Sequence, residues 1–170
     1  MNKKENVRMK RIGWIMLLLG LAALVVMAQE KQAPSDRGEA TLAIGGDKVT
    51  VEYGRPALNG RDLDKMLAPG MEWRMGSNAP TTLSTDVDLK FGDKVVSKGK
   101  YVLKAKFLEA GKWNLMIYTE KTAVAEVPLT TGKNASSVEL VTVKLEKQGS
   151  GGKFTLEWGG MSISAVFQKA

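Results

Sequence analysis

The sequence predicts an all-β fold, an antiparallel β-sandwich or partly closed barrel of about nine strands with one short helix in a long loop. Apolar and polar residues alternate along most of the chain after residue 40, as in strands with one buried face and one wet face. Turns rich in glycine separate these segments at short intervals. The 142 residues after residue 28 suit one domain, which we place at 40–170.

The first strands form a predicted hairpin. Alternation runs through 40–44 and again through 49–53, and Gly45-Gly46-Asp47 turns the chain between them. Thr81–Phe91 is the clearest strand, with five alternate positions that suit a buried face. Further strands are predicted at 101–107 and 113–117, with Trp113, Leu115 and Phe107 in the core.

The C-terminal half alternates less regularly. We predict a short strand over 122–127 that ends at Pro128, followed by a polar loop over 129–136. The phase of the alternation changes between Val138 and Glu146, which indicates a β-bulge near Leu140-Val141. Two more strands flank Gly159-Gly160.

Residues 54–80 interrupt this pattern. Leu63, Met66 and Leu67 have helical spacing before Pro69-Gly70, so one short helix is predicted there. A 27-residue irregular segment is uncommon in a compact β domain and is often functional. It could also be a lid over one open end of the sandwich, and the two roles are compatible.

The N-terminal segment has the parts of a secretory signal. Five basic residues and one acid precede an uncharged run over 12–28, which closes on Val26-Met27-Ala28. We predict a signal peptide over 1–28 and a flexible leader over 29–39. The protein would then be periplasmic or secreted. Because the apolar run is just long enough to span a bilayer, an uncleaved inner-membrane anchor with the domain facing outward is the alternative. Any membrane contact would then be made through this segment alone.

The export segment also accounts for most of the net charge. Without residues 1–28, 20 basic and 17 acidic residues remain, so the net charge falls from +7 to +3. The basic residues are scattered, so no nucleic acid partner is predicted. The chain contains no His and no Cys, which excludes Ser-His-Asp and Cys-His catalysis and removes the common transition-metal ligands. We predict no catalytic residue, no metal and no cofactor, and the sequence argues against an enzyme.

Arginine indicates the candidate site. Four arginines follow residue 28, and three of them lie in the irregular segment, where they neighbour aromatic residues. The planar guanidinium donates in a fork that lysine cannot reproduce. The predicted ligand-binding residues are Tyr53, Arg55, Trp73, Arg74 and Asn78. In the alternative interpretation, the arginines bond to backbone carbonyls or nearby glutamates and pin the long loop.

Three sequence blocks carry a family resemblance. They are VEYGRPALNGR at 51–61, WRMGSNAPTTL at 73–83 and GKYVL at 99–103, with a late tryptophan at Trp158. The chain resembles the bacterial family called domain of unknown function 2911 (DUF2911) over roughly 40–170. Many relatives have Glu-Ala after the asparagine, where this chain has Ala79-Pro80. The resemblance implies an exported bacterial protein and no particular activity.

The leading functional interpretation is a non-enzymatic binding or interaction module of the cell envelope. Its partner would be an envelope ligand or protein, with a glycan, a peptide or an anionic group as the recognised chemistry. A hydrolase that uses carboxylates, such as Asp86 with Asp88 or Glu72, is one alternative. A purely structural surface protein is the other.

Overall fold

The computed structural model describes residues 37–170, so the predicted signal peptide and residues 29–36 of the leader lie outside the described residues. Residues 37–170 form ten strands and a single turn of 3-10 helix, which confirms the all-β prediction. The strands are β1 (Arg37–Ile44), β2 (Asp47–Gly54), β3 (Glu72–Trp73), β4 (Thr81–Thr85), β5 (Leu89–Phe91), β6 (Lys94–Val96), β7 (Gly99–Glu109), β8 (Lys112–Thr119), β9 (Thr122–Gln148) and β10 (Gly151–Lys169).

All strand pairs are antiparallel, and the strand order is β1-β2-β4-β7-β8-β9-β10-β5-β6, with β3 also on β7. Within the described residues this path ends at β1 and β6, so the sheet is not closed into a barrel. The long strand β9 pairs with β8 through 122–129 and with β10 beyond that. It therefore joins two halves of the sheet, which fold over one core as in a partly closed sandwich.

The core confirms the strand periodicity. Alternate residues of both halves are buried in one cluster, including Val51, Leu103, Leu115 and Ile163, each at most 1% exposed. Trp113 is buried as predicted, whereas Phe107 is only partly buried and packs against the cluster. Burial of large aliphatic side chains stabilises the fold by about 1.5–3 kcal/mol for each.

The predicted strand over 81–91 is wrong in one respect, because it is two strands. β4 pairs with β2 and β7, whereas β5 pairs with β6 and β10, so the chain crosses from one half of the sheet to the other at 86–88. The two aspartates fasten this crossing. Asp86 accepts a hydrogen bond from the Lys48 backbone N–H at 3.2 Å, and Asp88 accepts one from Lys98 at 2.7 Å.

The predicted strand end at Pro128 and the predicted loop over 129–136 are also wrong. β9 continues through both, because 130–133 pair with the backbone of β10. Most side chains of this stretch are exposed, which is why it can be polar. Main-chain pairing, and not burial of side chains, holds it in the sheet. Pro128 pairs on one side only, with Asn114 of β8, which is the edge position where proline is tolerated.

The bulge near Leu140-Val141 is confirmed. Thr142 pairs with Glu157 and Val138 pairs with Gly159, so three residues of β9 face the single residue Trp158 on β10. The backbone at 139–141 bonds to the irregular segment instead. Val141 N–H donates to the Pro56 carbonyl at 3.2 Å, and Leu58 N–H donates to the Glu139 carbonyl at 2.7 Å. The predicted short helix is reduced to 3-10 geometry over Asp64–Met66.

Candidate functional site

The irregular segment 54–80 is fixed to the sheet in its middle as well as at its start. Gly70 N–H donates to the Phe107 carbonyl at 2.8 Å, and Phe107 N–H donates to Met71 at 2.9 Å. The next two residues form β3 and pair with Lys106 and Ala105 of β7. These bonds hold Trp73 against the end of β7. They favour the lid interpretation, because the segment also packs its leucines onto the core.

The end of the segment returns to its beginning at Gly54. A Cβ added to Gly54 would lie 2.3 Å from the Ser77 carbonyl oxygen, and one added to Gly76 would lie 2.9 Å from the Gly54 oxygen. The two sequence blocks that contain these glycines therefore touch, and only glycine allows the approach. Between them Met75 is fully buried with a φ of 55°, an unusual backbone conformation for a residue with a side chain.

A cavity of about 250 Å³ lies between this segment and the sheet. Its walls are mostly apolar. The irregular segment, with β3, contributes Leu63, Met66, Leu67, Met71, Glu72, Trp73, Arg74 and Gly76, and the strands β8 and β10 contribute Trp113, Trp158 and Met161.

Three tryptophans give the cavity an aromatic wall. Trp73 stacks on Trp158 with ring centroids 5.5 Å apart and an angle of 12° between the ring planes. Trp113 meets Trp73 edge-on, with centroids 6.4 Å apart. Because these rings come from β3, β8 and β10, their arrangement depends on the fold of both halves of the sheet.

Trp158 also carries an unsatisfied donor. Its side chain is 4% exposed, and its indole Nε1 has no hydrogen-bond partner within residues 37–170. A buried donor without an acceptor costs about 1–3 kcal/mol. Trp158 lies opposite the β9 bulge, so the neighbouring strand supplies no paired residue at this position. The indole N–H of Trp158 is therefore left without an acceptor from either strand.

Glu72 belongs to a polar cluster at the rim. Its carboxylate accepts a hydrogen bond from Tyr118 Oη at 2.6 Å and one from Lys104 Nζ at 2.8 Å, and the Lys104 ammonium lies 4.8 Å from the centre of the Tyr118 ring. The bonds from Lys104 and then Tyr118 lower the pKa of Glu72 below 4.5. The same carboxylate raises the pKa of Tyr118 to about 12. The charge of Glu72 is thus balanced within the cluster.

The predicted site residues divide into two groups. Trp73 and Arg74 line the cavity. Tyr53 does not line it, since its ring is buried beneath Gly38 and its hydroxyl donates to the Val143 carbonyl at 3.4 Å. Arg55 Nε donates to the Val141 carbonyl at 3.4 Å, which matches the alternative structural interpretation for this arginine.

The fifth predicted residue, Asn78, is exposed and lies outside the cavity wall. Its backbone has a φ of 60°, and its carbonyl accepts a hydrogen bond from Arg74 Nη1 at 3.2 Å. Sequence reasoning missed Trp158 and Met161 as cavity residues and treated Trp113 as core only. The two strands predicted to flank Gly159-Gly160 are wrong, because β10 runs through both glycines as one strand. The alternation changes phase there, from Trp158 to Met161, and this change was the signal that could have drawn attention to both residues.

Within 37–170 no helix is long and apolar enough to cross a membrane. The same residues contain no group of three or more His, Cys, Asp or Glu side chains placed to bind a metal ion.

Comparison with known proteins gives one assignment. No curated protein and no solved structure matches the chain. A family described as "Protein of unknown function (DUF2911)" matches residues 35–167, which include every strand named above except the last two residues of β10. With most of the sequence covered, the chain belongs to the DUF2911 family.

Proposed function

We propose that this protein is an exported binding module of the cell envelope that holds an apolar group of its ligand in the tryptophan cavity without chemical conversion. The observation that carries the proposal is the wall of three tryptophans, one of which has a buried indole N–H without an acceptor. Binding sites are concave and mostly apolar, with a few polar groups that fix orientation. The cavity has this composition.

The size of the cavity limits what it can hold. Sites for drug-sized ligands measure about 300–1,000 Å³, and this cavity is about 250 Å³. It therefore suits one apolar side chain or a short aliphatic or ring group of a larger ligand. A hydrophobic residue of a peptide, or the apolar face of a sugar, has the required form. Both stack well on indole rings.

The arrangement of carboxylates favours binding over hydrolysis. Carboxylate-based glycoside hydrolysis uses a pair of acids across the scissile bond. Glu72 is the one carboxylate among the described residues that line the cavity, and it is paired with Lys104. The rival pair, Asp86 and Asp88, bonds to backbone amides at the crossing between the sheet halves.

Tryptophan fluorescence offers a direct test of binding. Residues 29–170 would be titrated with N-acetyl-leucine amide and with N-acetylglucosamine, which represent a peptide and a glycan. We expect a saturable change with one of them, because bound ligand replaces water beside the indoles. Trp73→Ala should abolish the change. Val124→Ala, which removes an exposed side chain on β9 outside the cavity, should retain it. No saturable response to any apolar probe would favour a purely structural protein.

Export is tested separately from binding. The basic residues and apolar run of 1–28 support it. Mass spectrometry of the envelope fraction should find a mature N-terminus at Gln29. Recovery of the full-length chain alone, in the membrane fraction, would support the uncleaved anchor instead.

A further inference from the structure

Two charged residues line the tryptophan cavity, and they differ in how they are paired. Glu72 accepts hydrogen bonds from Lys104 Nζ at 2.8 Å and from Tyr118 Oη at 2.6 Å. Lys104 therefore compensates its negative charge. A second cation brought to Glu72 would have to compete with an ammonium already in place, so this part of the rim offers little to a cationic ligand.

Arg74 lacks such compensation. Its side chain is exposed at the cavity, and its Nη1 donates to the backbone carbonyl of Asn78 at 3.2 Å. No carboxylate within residues 37–170 forms an ion pair with it. The guanidinium has five N–H donors, of which this bond uses one, and its planar fork can bind a carboxylate through two parallel hydrogen bonds. The rim of the cavity thus carries a net positive charge.

Neighbouring residues join this charge to the apolar wall. Trp73 stacks on Trp158 inside the cavity, and Arg74 follows it directly in the chain. The pairing of β3 with β7 holds Trp73 in place, and the bond from Arg74 to Asn78 holds the following turn. An apolar group against the indoles would therefore have its polar end near the guanidinium.

We propose that the ligand is an amphiphilic carboxylate, with a short apolar group in the tryptophan cavity and its anionic end on Arg74. This inference rests on the proposed binding function and names its ligand class. Two sources share the chemistry. One is the C-terminal hydrophobic residue of a peptide, and the other is a short fatty acid.

The test uses probes that share an apolar chain and differ in their head group. Octanoate, octanamide and octylamine are titrated into residues 29–170 while tryptophan fluorescence is followed. We expect octanoate to bind about tenfold more tightly than octanamide, as hydrogen bonds to charged groups allow, and octylamine to bind most weakly. N-acetyl-leucine and its amide form a second pair. The pair with the larger preference for the acid identifies the source.

Arginine variants locate the preference. Arg74→Gln should reduce the octanoate preference to near one, because octanoate loses far more affinity than octanamide. Arg37→Gln makes the same charge change at an exposed position of β1 outside the cavity and should leave the preference intact. Circular dichroism of each variant checks that it is folded.

The outcomes separate this inference from the proposed function. Equal binding of octanoate and octanamide by the wild type, or a preference that survives in Arg74→Gln, overturns the carboxylate assignment and leaves an apolar binding site. Failure of every probe, neutral ones included, removes the binding function and the inference together.

Discussion

Gly54→Ala tests the contact that brings the two halves of the irregular segment together. The added Cβ would lie 2.3 Å from the Ser77 oxygen and 2.7 Å from the Ser77 nitrogen, whereas ordinary contacts of a Cβ begin at 3.4 Å. The Ser77 backbone must therefore withdraw by about 1 Å, and a backbone cannot rotate away as a side chain can. Gly54 itself has no left-handed φ, so the change probes the contact alone.

Overpacking of this kind typically costs about 1–3 kcal/mol, and close contact with two backbone atoms of Ser77 places Gly54→Ala at about 3 kcal/mol. For a domain of this size the melting temperature should fall by about 10 °C. Urea unfolding monitored by tryptophan fluorescence measures the decrease in the free energy of unfolding, provided that the m value is unchanged. Gly132→Ala is the matched control, because its Cβ would meet nothing closer than Ser162 Cβ at 3.8 Å. If both variants unfold at the same urea concentration, the reasoning is refuted.

Three further changes follow from burial and charge. Leu115→Ala should lower the free energy of unfolding by about 2–5 kcal/mol, since Leu115 is 1% exposed; Leu108→Ala, at 36% exposure, should change it little in the same urea experiment. Glu72→Gln should lower the melting temperature at neutral pH, and the difference from wild type should close as the pH falls below 4.5. The reason is that a carboxyl whose pKa is lowered by folding stabilises the folded state while it is ionised, and this contribution is lost as the pH falls through its folded-state pKa. The same variant should bring the Tyr118 pKa down from about 12 toward 10.0 in a spectrophotometric titration. Arg74→Lys should melt close to wild type, because Arg74 is exposed and makes one long hydrogen bond in the described chain; a fall of many degrees would assign it a structural role.

The strands that the sequence predicts well are those whose pattern is local. Alternation identifies the β1–β2 hairpin and the burial of Leu115, and a change of phase locates the bulge at Leu140-Val141. Alternation does not say which partner a strand takes. The alternation therefore continues from 81 to 91 and does not reveal that the chain crosses between the halves of the sheet at Asp86. A polar stretch such as 129–136 looks like a loop, because long-range pairing with β10 leaves no trace in its composition.

The candidate site, likewise, could be predicted only in part. Trp73 and Arg74 stand out because arginine is otherwise rare in the chain after residue 28. Their partner Trp158 does not, because a tryptophan on an alternating strand is usually core. Its place opposite three bulged residues of β9 is a matter of register between distant strands. The burial of Tyr53, which removes it from the cavity, likewise depends on its contact with β9.

The two longest strands determine when folding can be completed. β10 supplies Phe154, Leu156, Ile163 and Phe167 to the core and lies between β9 and β5. Gln168 of β10 pairs with Lys90 of β5, which is 78 positions earlier in the chain. Until residues 151–169 have been synthesised, β5 and β9 lack their common neighbour and the cavity lacks Trp158. A growing chain would therefore expose these unpaired strands until synthesis is nearly complete. Folding should begin late and proceed slowly, as pairing between distant residues requires.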